Sequence, residues 1–289
     1  MMIVVTAATG ALGTHVVEQL LERVPADRVA VVVRDEAKAA PFAERGVEVR
    51  VADYGEPDTL KGAFGEGDKV LLISGSEIGR RVKQHSAVID AAKDAGVALL
   101  AYTSVLGEAA DDSPLADEHR ATERYLIDSG LPYVLLRNGW YHEVATGQLD
   151  RTVAAGGIIT SAGADSRVAS AARADYAAAA VAVLTGEGHV NRTYELSGDA
   201  AWSFAEYGAE VARRLGREFT VKAVSPEVHR EILLGAGVPA SMVDVLVEVD
   251  GEIALGHLAY RNGDLSALIG RPTTPIADAV AAALETVEA

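Results

Sequence analysis

Val4-Val5-Thr6-Ala7-Ala8-Thr9-Gly10-Ala11-Leu12-Gly13 decides the reading of the chain. Val4 and Val5 close a short apolar run, Met2 to Val5. From Leu12 onward apolar residues recur as Leu12, Val16, Leu20 and Val17, Leu21, Val24, the spacing of an amphipathic helix. Between the two, Thr6 to Gly13 carries almost no side-chain bulk except Leu12. Main-chain N–H groups can therefore approach an anion whose charge the helix dipole favours. Strand, thin turn and helix in that order predict a dinucleotide pyrophosphate held by Thr6, Thr9, Gly10, Ala11, Leu12 and Gly13. A full fingerprint has three glycines, and here the first position reads Ala7, a methyl group where close backbone approach is expected. The plainer alternative is an ordinary strand-to-helix turn.

Outward from this turn, apolar β-branched runs recur at Met2–Val5, Val29–Val33, Val47–Val51, Val70–Ile73, Ala98–Tyr102 and Tyr133–Leu136, mostly separated by segments of helical period. That alternation predicts an α/β fold, a Rossmann-type doubly wound parallel sheet whose strand ends gather along one edge. Beyond Asn138 the pattern loosens. A helix is expected over Ala174–Leu184, a strand over Thr193–Leu196, a helix over Phe204–Leu215, and further helices after Ser225-Pro226 and after Pro239. The expected organisation is a dinucleotide-binding domain over 1–140, with returning segments near 170–198, while 141–289 forms mainly a smaller C-terminal α/β substrate lobe.

Composition narrows the function. The chain has 289 residues, 49% of them apolar, enough to bury a large core. A net charge of −16 would repel a phosphate backbone, so no nucleic-acid partner is expected. There is no cysteine, which removes thiol catalysis and thiolate metal sites, and the seven histidines show no metal-ligand spacing, so no metal is expected. The longest apolar run, Ala177 to Leu184, is far short of the roughly 18 to 20 residues that cross a bilayer. No membrane association is expected. The first residues enter a strand with no export signal, so the expected location is cytoplasmic. A homo-oligomer is left open.

The strand ends carry the candidate chemistry. Strand two ends Val33-Arg34-Asp35, about 20 residues past the glycine turn, where an acid commonly meets the ribose hydroxyl. Arg34 comes first, and a guanidinium pairs bidentately with a 2′-phosphate, which favours NADPH while leaving NADH open. Asp35 suits a turn or helix cap at Glu36. Asp53 can accept from an adenine amino group with Tyr54 lining the pocket, or both can belong to a plain turn before Pro57. Ser74-Gly75-Ser76 forms a loop of small residues suited to passing beneath a cofactor. Arg80, Arg81 and Lys83 follow, facing either an anion or solvent. Thr103 and Ser104 end strand five, where the reacting end of the cofactor would lie. Asn138, Trp140 and Tyr141 follow strand six on the same edge. There Asn138 can bond a carbonyl oxygen, Tyr141 can stack on a flat ring, and Trp140 either lines the site or packs.

One motif is missing. A carbonyl-reducing short-chain dehydrogenase carries Tyr-x-x-x-Lys, the lysine lowering the phenol's pKa so that it protonates an alkoxide. None of the nine tyrosines has lysine four residues later; the corresponding positions read Leu115 and His119. His119 is a candidate to orient the ribose or relay a proton, or a structural histidine.

Taken in order, Ala52-Asp53-Tyr54-Gly55, Leu72-Ile73-Ser74-Gly75-Ser76-Glu77, Ala101-Tyr102-Thr103-Ser104, Leu115-Ala116-Asp117-Glu118-His119 and Leu135-Leu136-Arg137-Asn138-Gly139-Trp140-Tyr141 resemble the NmrA-like atypical short-chain dehydrogenases, and within them the type 2 NAD(P)H:quinone oxidoreductases. Arg173-Ala174-Asp175-Tyr176, Tyr194 to Asp199 and Leu268 to Thr273 extend the similarity across nearly the whole chain. The resemblance implies NADPH at Thr9–Gly13, Arg34 and Ser74–Ser76. It also implies a quinone beside Thr103, Asn138, Trp140 and Tyr141. A quinone suits the missing dyad, because the hydroquinone anion left by hydride transfer is a far weaker base than an alkoxide. The alternative class is a non-catalytic NmrA-like redox sensor that binds NAD(P)(H) and a regulatory partner. A reductase of enones or benzylic ethers would call for lysine in place of His119.

Overall fold

In a computed structural model of the chain, which describes residues 1–107 and 114–288, seven parallel strands form one sheet in the order β3-β2-β1-β4-β5-β6-β9. These are β1 (Ile3–Thr6), β2 (Val29–Val33), β3 (Glu48–Val51), β4 (Lys69–Leu72), β5 (Leu99–Val105), β6 (Tyr133–Asn138) and β9 (Arg192–Leu196). Each expected apolar run is a strand. β5 and β6 run past their expected ends at Tyr102 and Leu136 to Val105 and Asn138, because the ladder between them continues to the pair Val105–Asn138.

The near-continuous valine of the inner strands reflects burial on both faces. Alternate residues sort accordingly: Val5, Val29, Val31, Val33 and Leu71 enter one core, and Val4, Ala30, Val32, Val70 and Leu72 the other. On the first face helix α1 (Ala11–Leu21) packs Val16, Val17 and Leu20 against the helix Arg173–Thr185, whose alanines 177, 179 and 180 contribute to the same core. Gln19 Nε2 donates to the carbonyl of Ala174 at 2.9 Å, tying the two helices side by side. The helix Arg81–Ala95 covers the other face through Val88, Ile89 and Ala92.

The sheet order reverses between β1 and β4, so the crossovers leaving these strands diverge and open a crevice at their C-terminal ends. Thr6 closes the floor there: its hydroxyl donates to the carbonyl of Leu71 at 3.0 Å and accepts from the amide of Ile73 at 3.1 Å, joining β1 to β4.

Beyond β6 a smaller core forms around Trp202, Tyr207, Val211, Phe219, Val280 and Leu284. Two short sheets edge it: β7 (Gly157–Thr160) pairs parallel with β11 (Thr220–Ala223), and β8 (Arg167–Val168) antiparallel with β10 (Trp202–Ser203). The helix Phe204–Leu215 has the bounds read from sequence and begins with a reciprocal capping box between Ser203 and Glu206. Ser225 caps Pro226–Gly235, and Ala240–Ala254 follows Pro239. Late in the chain the helix Asp264–Ile269 returns to the large core, burying Leu265 with Leu268 and Ile269 against it. No helix among the described residues is long and apolar enough to cross a membrane.

Candidate active site

The β1–α1 turn depends on two close approaches. Ala7 adopts the left-handed conformation, φ 48°, and its carbonyl accepts from the Gly10 amide at 3.0 Å. A β-carbon on Gly13 would lie 2.5 Å from that carbonyl oxygen and 2.7 Å from the Ala8 α-carbon, so only glycine fits. The helix opens with Gly10 at its cap, no capping side chain and no acidic residue in its first turn. Its leading amides are therefore available to an anion.

This turn forms part of the wall of a cleft of about 610 Å³ along the C-terminal strand edge. Thr9, Gly10, Ala11, Leu12, Gly13, Arg34, Asp53, Tyr54, Ser74, Gly75, Ser76 and Thr103 all line it, as does Tyr141. Asp35 lines it too, while its Oδ1 caps the following turn by accepting from the Ala37 amide at 3.0 Å. The Asp53 carboxylate likewise holds a turn, through the Gly55 amide at 2.7 Å. The Tyr54 hydroxyl is spent on the floor, against the Thr6 hydroxyl and the Ile73 carbonyl, and burial raises its pKa.

The Ser74–Ser76 loop is held from three sides. The Ser74 amide donates to Thr103 Oγ1 at 2.9 Å, the Gly75 amide to His85 Nε2 at 2.9 Å, and Arg81 Nε to the Gly75 carbonyl at 2.6 Å. Arg81 lines the cleft but is engaged with this loop and with Glu118 at 3.7 Å, and Arg80 pairs with Glu77 at 3.0 Å. Since His85 Nε2 accepts, its proton sits on Nδ1, which faces Thr122 Oγ1 at 3.1 Å. Burial and the Arg81 charge push the His85 pKa down to about 4, which keeps the ring neutral and the acceptor in place.

At the other end stand Tyr141 and Arg173. The Tyr141 ring meets Tyr176 edge-on at 5.1 Å, and the Arg173 guanidinium carbon lies 5.2 Å from the Tyr141 centroid. Asn138 Nδ2 donates to the Tyr141 hydroxyl over 3.4 Å, leaving the phenol proton for another acceptor. Burial raises the Tyr141 pKa against the lowering effects of Asn138 and Arg173. The phenol is therefore a neutral donor near pH 7.

An open helix start, a basic residue after β2 and a cleft across the switch point together make a nucleotide site. The family model for NAD(P)H binding matches residues 7–187. The chain belongs to the NAD(P)H-binding family. Quinone oxidoreductase 2 of Escherichia coli is 45% identical over 281 residues, which span 96% of this chain and 97% of that protein. The solved structure of the Escherichia coli NADPH-dependent quinone oxidoreductase in complex with NADPH has a TM-score of 0.94 at 43% identity, covering 98% of this chain and all of that one. Triphenylmethane reductase of Citrobacter sp., solved with NADP(H), has a TM-score of 0.93 at 36% identity and covers 98% and 100%.

Not every expected residue of this family member reaches the cleft wall. Thr6 is fully buried in the floor. Ser104 is buried with its hydroxyl unpartnered among the described residues. Asn138 is buried, its Oδ1 also unpartnered, and lies behind the wall with its Nδ2 on the Tyr141 hydroxyl. Trp140 packs against the core of the smaller lobe.

For His119 the geometry matches the structural one of its two readings. Its Nδ1 lies 2.7 Å from the Tyr102 hydroxyl, and Tyr102 belongs to the core on the sheet face opposite the one Tyr141 packs against. Burial and the Arg81 charge push its pKa down to about 3. It is a neutral, buried packing partner and no part of the cleft wall. The Leu115 side chain lies outside the described residues.

Sequence reading missed Lys38 and Arg173, both in the wall. Lys38 carried a faint signal, a second basic residue in the turn after β2. Arg173 stood in a stretch quoted for the resemblance, but nothing in its spacing placed it at the cleft; the chain returns there beside the short bridge between Tyr141 and Ala171.

Proposed function

We propose that the protein is an NADPH-dependent oxidoreductase that reduces quinones in a single two-electron step. The carrying observation is the 45% identity to quinone oxidoreductase 2 over 96% of this chain, joined to a cleft whose wall suits a dinucleotide. NADPH would supply the hydride.

The chain's own residues supply binding and orientation. The amides at the start of α1 would hold the diphosphate, and Arg34 with Lys38 the 2′-phosphate. Ser74–Ser76, pinned by His85 and Arg81, would support the middle of the coenzyme beside Thr103. Tyr141 offers a flat face and a neutral O–H to the acceptor. No buried acid–base dyad is required: a hydroquinone anion takes its proton readily, and catalysis rests on placing the two reactants in contact. Work in the cytoplasm accords with this reading, since the reduced coenzyme it consumes is an intracellular one.

The sensor alternative is not favoured, because the similarity spans the full lengths of reductases. Stopped-flow oxidation of NADPH with several small benzoquinones tests the assignment. Saturable turnover is expected, and rates no higher than the uncatalysed background with every quinone would overturn it.

A further inference from the structure

We propose that Arg173 is the oxyanion-binding residue of the acceptor site, holding the hydroquinone monoanion as it forms; this rests on the quinone-reducing reading above. Three arginines line the cleft, and two already have a carboxylate: Arg34 faces Glu77 at 3.7 Å and Arg81 faces Glu118 at 3.7 Å. Among the described residues Arg173 has no such partner. Both carboxylate oxygens of Glu143 accept from the Arg173 main-chain amide, at 3.0 and 3.1 Å. The guanidinium instead lies over the Tyr141 ring, half-buried in a chain whose net charge is −16. A cation held on an aromatic face without a counter-ion is completed by an anion arriving in the cleft.

The reaction generates one there. NADPH, when bound, would give up a proton with two electrons and be oxidised to NADP+. The coenzyme's C–H bond would break, a new bond to hydrogen would form on the quinone, and the quinone would keep one negative charge on oxygen. A proton from solvent, passed on by the Tyr141 hydroxyl or directly, completes the hydroquinone. Until it does, the oxyanion sits in a partly desolvated site, where a preplaced guanidinium and phenol stabilise it more than water would. Because the charge is absent from the quinone, the benefit falls on the transition state and on kcat.

Substituting Arg173 by Gln and by Lys tests this, since the amide bond to Glu143 is main-chain and survives both changes. Arg173→Gln should lower kcat by roughly 10- to 100-fold while changing the NADPH dissociation constant by less than about 3-fold, and Arg173→Lys should recover part of the loss. Across benzoquinones whose hydroquinones differ in acidity, the ratio of wild-type to Gln-variant rates should grow as the hydroquinone becomes more basic. A purely structural role would leave that ratio flat. A second arm needs no turnover: wild-type protein loaded with NADP+ should bind ionised phenols more tightly than neutral ones of the same shape, and Arg173→Gln should lose the preference. A flat rate ratio, absent phenolate preference, or NADPH affinity falling in step with kcat would overturn the proposal, the last by assigning Arg173 to the coenzyme. Absent quinone turnover in the wild type would sink the functional reading, and the phenolate titration would still decide whether Arg173 binds an oxyanion.

Discussion

The two halves of the cleft are built from different material. The half beneath α1 is mainly backbone: a left-handed residue, a glycine with no room for a β-carbon, and uncapped amides. The half beside β6 is side chain, with Tyr141 resting on Tyr176 and Arg173 brought in by a helix that begins some thirty residues later. Backbone geometry tolerates almost no substitution, whereas a side-chain wall can be rebuilt without disturbing the sheet. One half is thus suited to a common coenzyme and the other to a variable acceptor.

Gly13→Ala is the strongest way to break this contrast. The new methyl would meet the Ala7 carbonyl at 2.5 Å and the Ala8 α-carbon at 2.7 Å, both main-chain atoms that cannot swing aside. Displacing the turn should cost about 1 to 3 kcal/mol in stability and weaken NADPH by roughly 100-fold or more, as several amide contacts go together. Calorimetric titration alongside thermal unfolding checks it; an affinity within a few-fold of wild type would mean the turn is not the anchor.

The second test concerns what stands behind the loop. His85 and His119 are held near 4 and 3 against an ordinary 6.5. Between those values the unfolded chain binds more protons than the folded one. Stability is therefore complete above about pH 6.5 and falls as pH drops toward 4 and below. The His85 contribution alone should be on the order of 3 kcal/mol, at about 1.4 kcal/mol per pKa unit. Urea unfolding at stepped pH measures it, and His85→Gln should flatten the slope while weakening NADPH by releasing the Gly75 amide. An unchanged slope in that variant would place the proton uptake elsewhere.

Arg34 gives a smaller, more selective effect. Its side chain is 71% exposed and only loosely paired with Glu77, so little stability depends on it. Arg34→Ala should weaken NADPH by roughly 10-fold, the lower range for a charge-assisted hydrogen bond, and NADH hardly at all. Lys38 in the same wall limits the loss. Equal losses for the two coenzymes would remove Arg34 from the 2′-phosphate.

The same division explains what could be read from the sequence. The thin turn, the valine strands and the returning strand Arg192–Leu196 were legible because sterics and burial dictate residue types there. The helix Asp264–Ile269 was not: six residues give too short a period to show which core they enter. The role of His119 stayed open for a related reason. Its position in the missing dyad named the helix but not which way the ring turns, and strand alternation sends its partner Tyr102 into the opposite core from Tyr141. Arg173 belonged to a stretch that carried the resemblance but was given no role, because its place in the wall is a product of topology.

Ala7 offers the finest test, because it is the one position in the backbone half where this chain departs from the glycine pattern. Left-handed alanine costs about 1 kcal/mol or slightly more. Ala7→Gly would recover that, while the freer unfolded chain loses about 0.4 to 1 kcal/mol of the gain. Unfolding temperature should therefore move by no more than a few degrees. Affinity is the sharper readout: with the methyl gone the amides can close on the diphosphate, and NADPH should bind about 2- to 5-fold more tightly, a gain below 1 kcal/mol. Ala7 also packs against the core beneath α1. If titration instead shows weaker binding, the methyl is holding the turn in shape, and the backbone half would itself depend on a side chain.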